Sequence, residues 1–403
     1  MGVQIARALQ CAGHRVTLID QQQPGLATSF GNAGFIATDE IFPLAHGRVL
    51  RCLPKMLLDP LGPLSMRWQE FPRLIPWFLR YARACSTTSS ENSIKALVAI
   101  QSEANEAWQR ALERDGLSNL MRKNGAWKLF ETEQAYHDTA HERAVQKQHG
   151  VLWQDVQLEA LREQIPELGP SIKRGVFFPS GMSVVNSLAM TEGIVQQFLT
   201  AKGVFDLGKV VAISKNPQSG ITVYQQGQER TFDKVVIATG HLSGRLLKPL
   251  GLKVPIVAER GYHLEVAHSE VSFDMPVGLH ERGFYMTPMT SGLRLAGTSE
   301  FSSADTDEPP NWQRAEILMR HVKDILPGVV EKETGRWMGH RPTLYDFLPA
   351  LGPAPGADNI FLAFGHHHLG LTLSAITAEL IVDMIANRPT RIDVNPFLLD
   401  RFQ

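Results

Sequence analysis

Cysteine is scarce in this sequence: Cys11, Cys52 and Cys85 are its three cysteines, and no Cys-x-x-Cys pair occurs. So few cysteines, in an odd number, exclude a disulfide-stabilised scaffold and predict structural thiols in a reducing compartment. Long apolar runs are lacking as well, since none reaches the ~18 residues that a membrane-spanning helix needs. We therefore expect a cytoplasmic protein without a transmembrane segment.

An excess of charge of one sign is also missing. Lys and Arg number 40 and Asp and Glu number 41, which gives a net charge of −1. Because there is no basic excess, a nucleic-acid partner is not expected. Hydrophobic residues make up 43% of the 403 residues, enough for a core and for two domains. Composition thus describes an ordinary globular protein, and function must be sought in the motifs.

The first twenty residues have the order helix, glycine, strand, acid. Residues 1–12 have helical apolar spacing, Gly13 suits the left-handed end of that helix, and residues 15–20 form a short apolar strand ending in Asp20. This order is the second half of a βαβ nucleotide-binding unit, in which the acid accepts hydrogen bonds from ribose hydroxyls. Asp20 stands eighteen residues after Gly2, about where that acid belongs.

Gly2 fits only the third glycine of the Gly-x-Gly-x-x-Gly turn that opens such a unit. The third glycine lets helix and strand pack closely, whereas the first two let the pyrophosphate approach. We expect the first strand and those two glycines upstream of Met1. Two alternatives stay open: the order is a coincidence common in α/β proteins, or the chain is a non-catalytic fragment that binds its nucleotide poorly.

A run of small and hydroxyl residues, Thr28–Phe35, follows the acid. Backbone N–H groups and a serine hydroxyl in such a run can meet phosphate, and small residues let the backbone approach a flat ring. A plain surface loop is the alternative for this run taken alone. The candidate cofactor contacts in it are Ser29, Asn32, Ala33 and Gly34.

The middle of the chain, residues 49–181, is expected to be largely helical and irregular. The stretch Leu64–Cys85 interleaves aromatic residues with four arginines. Aromatic stripes at helical spacing are usually core, which we favour; contact with a membrane surface or a redox partner is the alternative. Residues 93–114 predict one further amphipathic helix.

Residues 187–240 read as a helix, a strand, a hairpin and a buried strand that ends in Ala-Thr-Gly. A buried parallel-type strand with small terminal residues lets a cofactor approach the edge of a sheet. This order fits the later half of a nucleotide-binding domain. The candidate contacts here are Val211, Thr239 and Gly240.

Residues 254–298 alternate as strands joined by short polar turns and predict an antiparallel sheet, a natural floor for a substrate pocket. Tyr262 and Tyr285 lie on this sheet.

Towards the carboxyl end, Trp337–Thr343 contains Gly-x-Arg-Pro, and a strand over 359–364 breaks at Gly365 and enters a helix that runs to Asn387. A helix entered in this way aims its first amides at whatever lies above them. The histidines 366–368 are consecutive, so they do not share a face at metal-ligand spacing, and no metal site is predicted.

These motifs resemble the D-amino-acid oxidase superfamily of FAD enzymes, and within it most nearly the bacterial D-amino-acid dehydrogenases, including forms that act on D-hydroxyproline. The matching pieces span nearly the whole chain in the right order. They are Thr28–Gly34, Lys234–Gly240, Gly339-x-Arg341-Pro342 with Asp346 and Pro349, and Gly365–Thr372.

The resemblance assigns roles to several residues. It implies that Arg341 grips the substrate carboxylate, which suits the planar guanidinium; a structural salt bridge is the alternative. Family members often place a tyrosine near the substrate, so Tyr262 and Tyr285 are further candidates, although neither matches by motif. The residues implied to lie against the flavin ring are Gly365, His366, His367, Leu369, Gly370 and Thr372.

The implied reaction is hydride transfer from the substrate Cα to flavin N5, which gives an imino acid and then a 2-oxo acid. Because the amine reacts in its neutral form, activity should rise toward alkaline pH. No cysteine matches a covalent-flavin motif, so noncovalent FAD is expected, with a quinone or electron carrier as acceptor. The alternatives are an O2-using oxidase of glycine or sarcosine, and an inactive fragment.

The resulting fold prediction is α/β (α+β overall), with a Rossmann-like FAD-binding domain and a substrate domain built on an antiparallel sheet with helices. The FAD-binding domain is expected over 1–49, 183–247 and 328–403, and the substrate domain over 50–182 and 248–327.

Overall fold

The computed structural model describes residues 1–45, 47, 59, 62–216, 220–267, 271–304, 308–329 and 332–403. In this part of the chain the helices are α1 Gly2–Cys11, α2 Phe71–Ala84, α3 Thr87–Ser102, α4 Ala104–Asp115, α5 Glu133–Asp138, α6 Ala140–Gln148, α7 Leu158–Gln164, α8 Ser187–Thr200, α9 Ser243–Leu247, α10 Gln313–Ile325 and α11 Gly370–Ile385. The strands are β1 Thr17–Asp20, β2 Phe35–Ile36, β3 Leu64–Met66, β4 Met121–Arg122, β5 Ala126–Phe130, β6 Gln154–Val156, β7 Arg174–Phe178, β8 Met182–Val184, β9 Val204–Leu207, β10 Val210–Lys215, β11 Ile221–Gln225, β12 Gln228–Phe232, β13 Val235–Ile237, β14 Ile256–Val266, β15 Val277–Leu279, β16 Phe284–Met289, β17 Gly292–Ser302, β18 Glu333–Leu344, β19 Ala350–Ala354 and β20 Ala357–Phe364.

The predicted helix and strand at the amino end are confirmed as α1 and β1. Gly13 has φ +93°, and its N–H donates to the Gln10 carbonyl, so it ends the helix in the left-handed conformation as expected. β1 pairs in parallel with β9, and β13 pairs in parallel with β20. Among the described residues, β1 and β13 therefore belong to separate sheets.

Nine strands form the large sheet of the other half, in the order β18-β14-β17-β16-β15-β5-β7-β6, with β3 paired beside β17. The antiparallel sheet predicted over 254–298 is thereby confirmed. Residues 49–181, which we expected to be largely helical and irregular, also contribute the strands β5 and β7 to this sheet. Both strands are buried on both faces, so neither shows the alternation by which a half-buried strand is recognised. The single helix predicted over 93–114 is also two helices, α3 and α4.

The helix α11 is the most deeply buried of the described helices and packs against α1 and α4. Residues His367–Ile385 are long and apolar enough to cross a membrane by length and composition, although our sequence analysis predicted no such segment. About two-thirds of that window is buried inside the protein, as in the core helix of a globular fold. The length and apolar composition of this helix are therefore weak evidence for a membrane span.

Candidate active site

A single cavity of about 2770 Å³ runs between the two halves of the protein. Its walls come from α1, β1, the loop after β1, the end of β13, one face of the large sheet and the start of α11. A cavity where two structural units meet is the usual position of a cofactor and its substrate.

The predicted nucleotide contacts lie at one end of this cavity. Asp20 ends β1, and its Oδ1 accepts a hydrogen bond from the Gln22 N–H at 3.1 Å. Burial raises the pKa of this carboxyl above its ordinary value. A Cβ on Gly2 would meet Leu18 at 3.6 Å and Ala238 at 3.8 Å, which are ordinary contacts, so close packing there does not by itself demand glycine. The predicted residues that line this end are Gly2, Asp20, Val211, Thr239 and Gly240.

The run that follows Asp20 is a loop held in place by a buried arginine. Ser29, Asn32 and Ala33 line the cavity, as predicted for cofactor contacts. Arg294 of β17 is 4% exposed and donates to the carbonyl oxygens of Phe30 and Asn32. Sequence analysis missed this residue, because an arginine on a strand gives no sign of which distant loop it holds.

Four predicted cofactor contacts do not line the cavity, and this corrects the sequence analysis. Gly34 and Gly365 adopt φ +68° and +82°, and a Cβ on either would overlap a neighbouring side chain, so the packing around both positions requires glycine. Leu369 lies in the core, and Thr372 accepts a hydrogen bond from the Ala37 N–H at 3.0 Å. These residues shape the wall behind the cavity surface.

Arg341 lies on β18 and points over the large sheet into the cavity. Its Nη1 donates to Glu259 Oε1 at 2.7 Å and to Ser299 Oγ at 2.8 Å. Glu259 is 3% exposed and also accepts hydrogen bonds from Ser299 and Thr343. The salt bridge that we kept as an alternative role for Arg341 is therefore real, yet it uses only Nη1. In the described part of the chain, Nε and Nη2 have no hydrogen-bond partner, so one edge of the guanidinium faces the cavity.

The sheet beneath Arg341 is built of small residues. A Cβ on Gly261 would lie 2.6 Å from Arg341 Nη2, so only glycine lets the guanidinium lie flat there. Ala296 and Gly297 of the neighbouring strand continue this floor towards Tyr285. The floor therefore leaves room for a small substrate between Arg341 and Tyr285.

Tyr285 and Tyr262 have different positions. Tyr285 lines the cavity, and its hydroxyl donates to Glu40 at 3.2 Å. Tyr262 is 1% exposed in the core under the sheet, where its hydroxyl donates to Glu300 at 2.6 Å, so the prediction that it contacts substrate is wrong. Burial, followed by Glu300, raises the pKa of Tyr262 to about 12. A β-bulge between Gly261 and Tyr262 fixes this division of faces.

Glu40 also forms an ion pair with Lys128, at 3.6 Å. Lys128 lowers the pKa of Glu40, whereas burial and the negative charge of Glu40 raise the pKa of Asp39 to about 7. Sequence analysis missed this group, because its members come from distant segments; Glu40 and Lys128 line the cavity.

The three consecutive histidines face different surroundings. His366 is buried and contacts Thr377 Oγ1 at 3.1 Å, and burial lowers its pKa to about 3. His367 is also buried; the His368 side chain is exposed where it lines the cavity, but it lies deep enough in the protein to be desolvated. They lie just before α11, whose residues Gly370 and Leu371 line the cavity.

For the stretch Leu64–Cys85 we favoured a place in the core and kept contact with a membrane or redox partner as the alternative. The helix α2, which covers most of this stretch, has one face suited to each. Its inner face, with Leu74, Trp77 and Tyr81, is core, and part of it lines the cavity. Its outer face is exposed and carries the apolar side chains of Phe71, Ile75 and Leu79, and the exposed Trp68 lies just before the helix. We call Trp68, Phe71, Ile75 and Leu79 the exposed stripe.

The residues present fit an FAD molecule. An acid at the end of β1, a loop of small residues, and the start of α11, which has no side-chain cap, line one continuous cavity. The first amides of a helix without a side-chain cap favour an anionic group, such as the reduced flavin ring. A nucleotide-binding half joined across one cavity to an antiparallel sheet defines a two-part FAD-binding oxidoreductase.

Comparison with known proteins gives the family. A family model described as DAO, FAD dependent oxidoreductase, matches residues 1–384. A D-amino-acid oxidase of Bradyrhizobium diazoefficiens is 30% identical over 97% of this chain and 94% of the relative, and a D-amino acid dehydrogenase of Allorhizobium ampelinum is 26% identical over 100% and 96%. The crystal structure of glycine oxidase from Geobacillus kaustophilus superposes with a TM-score of 0.76 at 21% identity over 100% of this chain and 96% of that one.

The chain therefore belongs to the DAO family of FAD-dependent oxidoreductases. The family, the mixed α/β fold class and FAD as the cofactor are confirmed. The domain boundaries stay a prediction.

Proposed function

We propose that this enzyme oxidises a small D-amino acid to the corresponding imino acid, which water converts to a 2-oxo acid. The observation that carries the proposal is the free Nε–Nη2 edge of Arg341 above a floor of glycine and alanine. Two parallel N–H groups match the two oxygens of a carboxylate. The relatives named D-amino-acid oxidase and D-amino acid dehydrogenase support this substrate class.

Arg341 would hold the carboxylate, and the small residues of the floor leave room for the rest of the substrate beside it. When bound, FAD supplies the hydride acceptor. The uncapped amides at the start of α11 stabilise negative charge on the ring side of the cavity. Side chains of α2 and of the sheet line the cavity, and displacement of water there by a bound substrate would strengthen these electrostatic contacts.

The test is a panel of D- and L-amino acids with an artificial dye as acceptor under anaerobic conditions. We expect dye reduction with D-enantiomers and not with their L-enantiomers. Turnover restricted to glycine and sarcosine would favour the second candidate, for which the structural similarity to glycine oxidase is the observation. Absence of turnover with every substrate, in a protein that is yellow with bound flavin, would contradict the proposal.

We propose noncovalent FAD, because Cys11 and Cys85 do not line the cavity; Cys52 lies outside the described residues. Acid precipitation is expected to leave the flavin in the supernatant.

We also propose that a quinone or electron carrier takes the electrons. Rapid oxygen consumption on substrate addition, without any added acceptor, would contradict this part.

The exposed stripe suggests where such an acceptor is met. It lies on the outer side of the helix whose inner side lines the cavity, and Arg73, Arg80 and Arg83 are exposed beside it. Apolar side chains flanked by arginines suit an anionic lipid surface. We propose that this stripe binds the membrane peripherally.

Changing Leu79 to glutamate should weaken binding to vesicles that contain phosphatidylglycerol by about tenfold or more, since burial of one leucine contributes about 1.5–3 kcal/mol. Sedimentation with vesicles measures the bound fraction. Leu152→Glu is the matched control, because Leu152 is 63% exposed and Leu79 is 64% exposed. Equal effects of the two substitutions, or no binding by the unmodified protein, would contradict membrane contact through the stripe.

A further inference from the structure

Two adjacent histidines form a directed hydrogen-bond chain at the wall of the cavity. His367 Nε2 contacts the Phe347 carbonyl oxygen at 2.7 Å, and His367 Nδ1 contacts His368 Nδ1 at 2.9 Å. A carbonyl oxygen can only accept, so His367 Nε2 carries a proton and donates it. Burial, followed by the neighbouring His368, holds the pKa of His367 well below its ordinary value, so this ring is neutral and its Nδ1 carries no proton.

The chain fixes the proton on His368 as well. Since His367 Nδ1 is an acceptor, His368 must donate through its own Nδ1–H. Burial lowers the pKa of His368, so at neutral pH its ring is uncharged and its Nε2 has a free lone pair. In the described residues this Nε2 has no hydrogen-bond partner, and the side chain faces the cavity. His368 is therefore an oriented base.

The charges around His368 come from three other segments. Glu40, after β2, and Glu259, on β14, raise its pKa, whereas Arg341, on β18, lowers it. His367 is a further titratable neighbour, and its ring is neutral. Two carboxylates attract an ammonium group to this part of the cavity and stabilise an imidazolium once it forms. A substrate carboxylate on Arg341 would offset the charge of the arginine and so make His368 more basic when substrate is bound.

We propose that His368 Nε2 accepts a proton from the ammonium group of the bound substrate, which leaves the amine neutral before its Cα is oxidised. The N–H bond of the ammonium breaks, its electron pair stays on the amine nitrogen, and the proton forms a new bond to Nε2; no electrons leave the pair of groups. This inference rests on the proposed amino-acid substrate. It explains how the enzyme can oxidise an amino acid at neutral pH, where the amino group of the free substrate is protonated.

The first test compares kcat/KM of the FAD-loaded enzyme and of His368→Gln from pH 6 to pH 10 with the best substrate of the panel. A positioned base contributes about 100-fold or more, so we expect a loss of that size at pH 7. The loss should shrink to less than tenfold at pH 10, where the free amine is abundant without help. A loss of equal size at every pH, or no loss at all, would overturn the proposal.

Controls separate a base from a structural role. His280→Gln changes another histidine that lines the cavity, and it should keep the pH profile of the unmodified enzyme. His368→Asn serves as the second variant if the glutamine variant does not fold. Added imidazole should restore part of the activity of His368→Ala at pH 7, and failure of that rescue would count against the base.

The second test does not depend on turnover. In protein with ¹⁵N-labelled histidine, the signals lost in His368→Gln identify His368, and their shifts report which ring nitrogen carries the proton. We expect a protonated Nδ1 and a bare Nε2 at pH 7.5. The opposite tautomer would overturn the inference even if D-amino acids are oxidised, whereas the expected tautomer without any turnover would contradict only the proposed function.

Discussion

Replacing Arg341 with lysine is expected to raise KM for the D-amino acid by about 10- to 100-fold. The guanidinium edge offers two parallel N–H donors, and the ammonium of lysine offers a single point of contact. Loss of one hydrogen bond to a charged group costs about 1.5–3 kcal/mol, which corresponds to that factor. Steady-state kinetics over a range of substrate concentrations measures the change.

The Arg341→Lys variant should keep its fold and its flavin, because lysine can still pair with Glu259. Arg336→Lys is the matched control: Arg336 lies on the same strand, β18, but pairs with Glu333 and Glu316 at the surface. We expect an unchanged KM in that control. An unchanged KM in Arg341→Lys itself, with intact flavin absorbance, would leave Arg341 with only its structural salt bridge.

Glu259→Leu is expected to lower the free energy of unfolding by about 3–5 kcal/mol, since removing one partner of a buried ion pair leaves the other charge uncompensated. Ser299 and Thr343 lose their acceptor in the same step. Glu259→Gln keeps an oxygen acceptor for Ser299 and Thr343, so its free energy of unfolding should fall by less than that of Glu259→Leu. Urea unfolding measures both, and Glu333→Leu is the control, because its surface pair with Arg336 contributes about 1 kcal/mol or less. Equal losses at the two positions would contradict the role of Glu259.

The contribution of Glu259 should also depend on pH. Burial, the largest influence, raises the pKa of this carboxyl, but Arg341 and Ser299 together hold it below its ordinary value. The stability gained from a lowered pKa is present above the unfolded pKa of about 4.3 and is lost as the pH falls through the folded value. The difference in unfolding free energy between the unmodified protein and Glu259→Gln should therefore shrink below about pH 4.3. A difference that stays constant from pH 7 to pH 3 would contradict this linkage.

Some residues of the site could be predicted from the sequence, and others could not. Asp20, Ser29 and Thr239 were predicted from local order alone, because a strand end, a small-residue loop and a strand ending in Ala-Thr-Gly are patterns within a few neighbours. Glu259 and Arg294 were missed, because each acts on a partner far along the chain.

The choice between the two tyrosines was likewise beyond the sequence. Tyr262 and Tyr285 both stand on strands of one sheet that is covered on both faces, so no alternation of polar and apolar residues marks the cavity side. The bulge at Gly261 and the register of β14 against β17 turn Tyr262 into the core and leave Tyr285 at the cavity. A shift of one residue would exchange the faces.

The sequence by itself determined the helix, glycine, strand and acid at the amino end, the antiparallel sheet over 254–298, and the family with its cofactor. These depend on periodicity and on motifs read over short distances. Only the tertiary structure decided that Arg341 is shared between Glu259 and the cavity, that four predicted cofactor contacts lie behind the wall, and that His368 has its Nε2 free. The physical reason is that hydrogen bonds and burial between distant segments are set by strand register and packing, which no local pattern encodes.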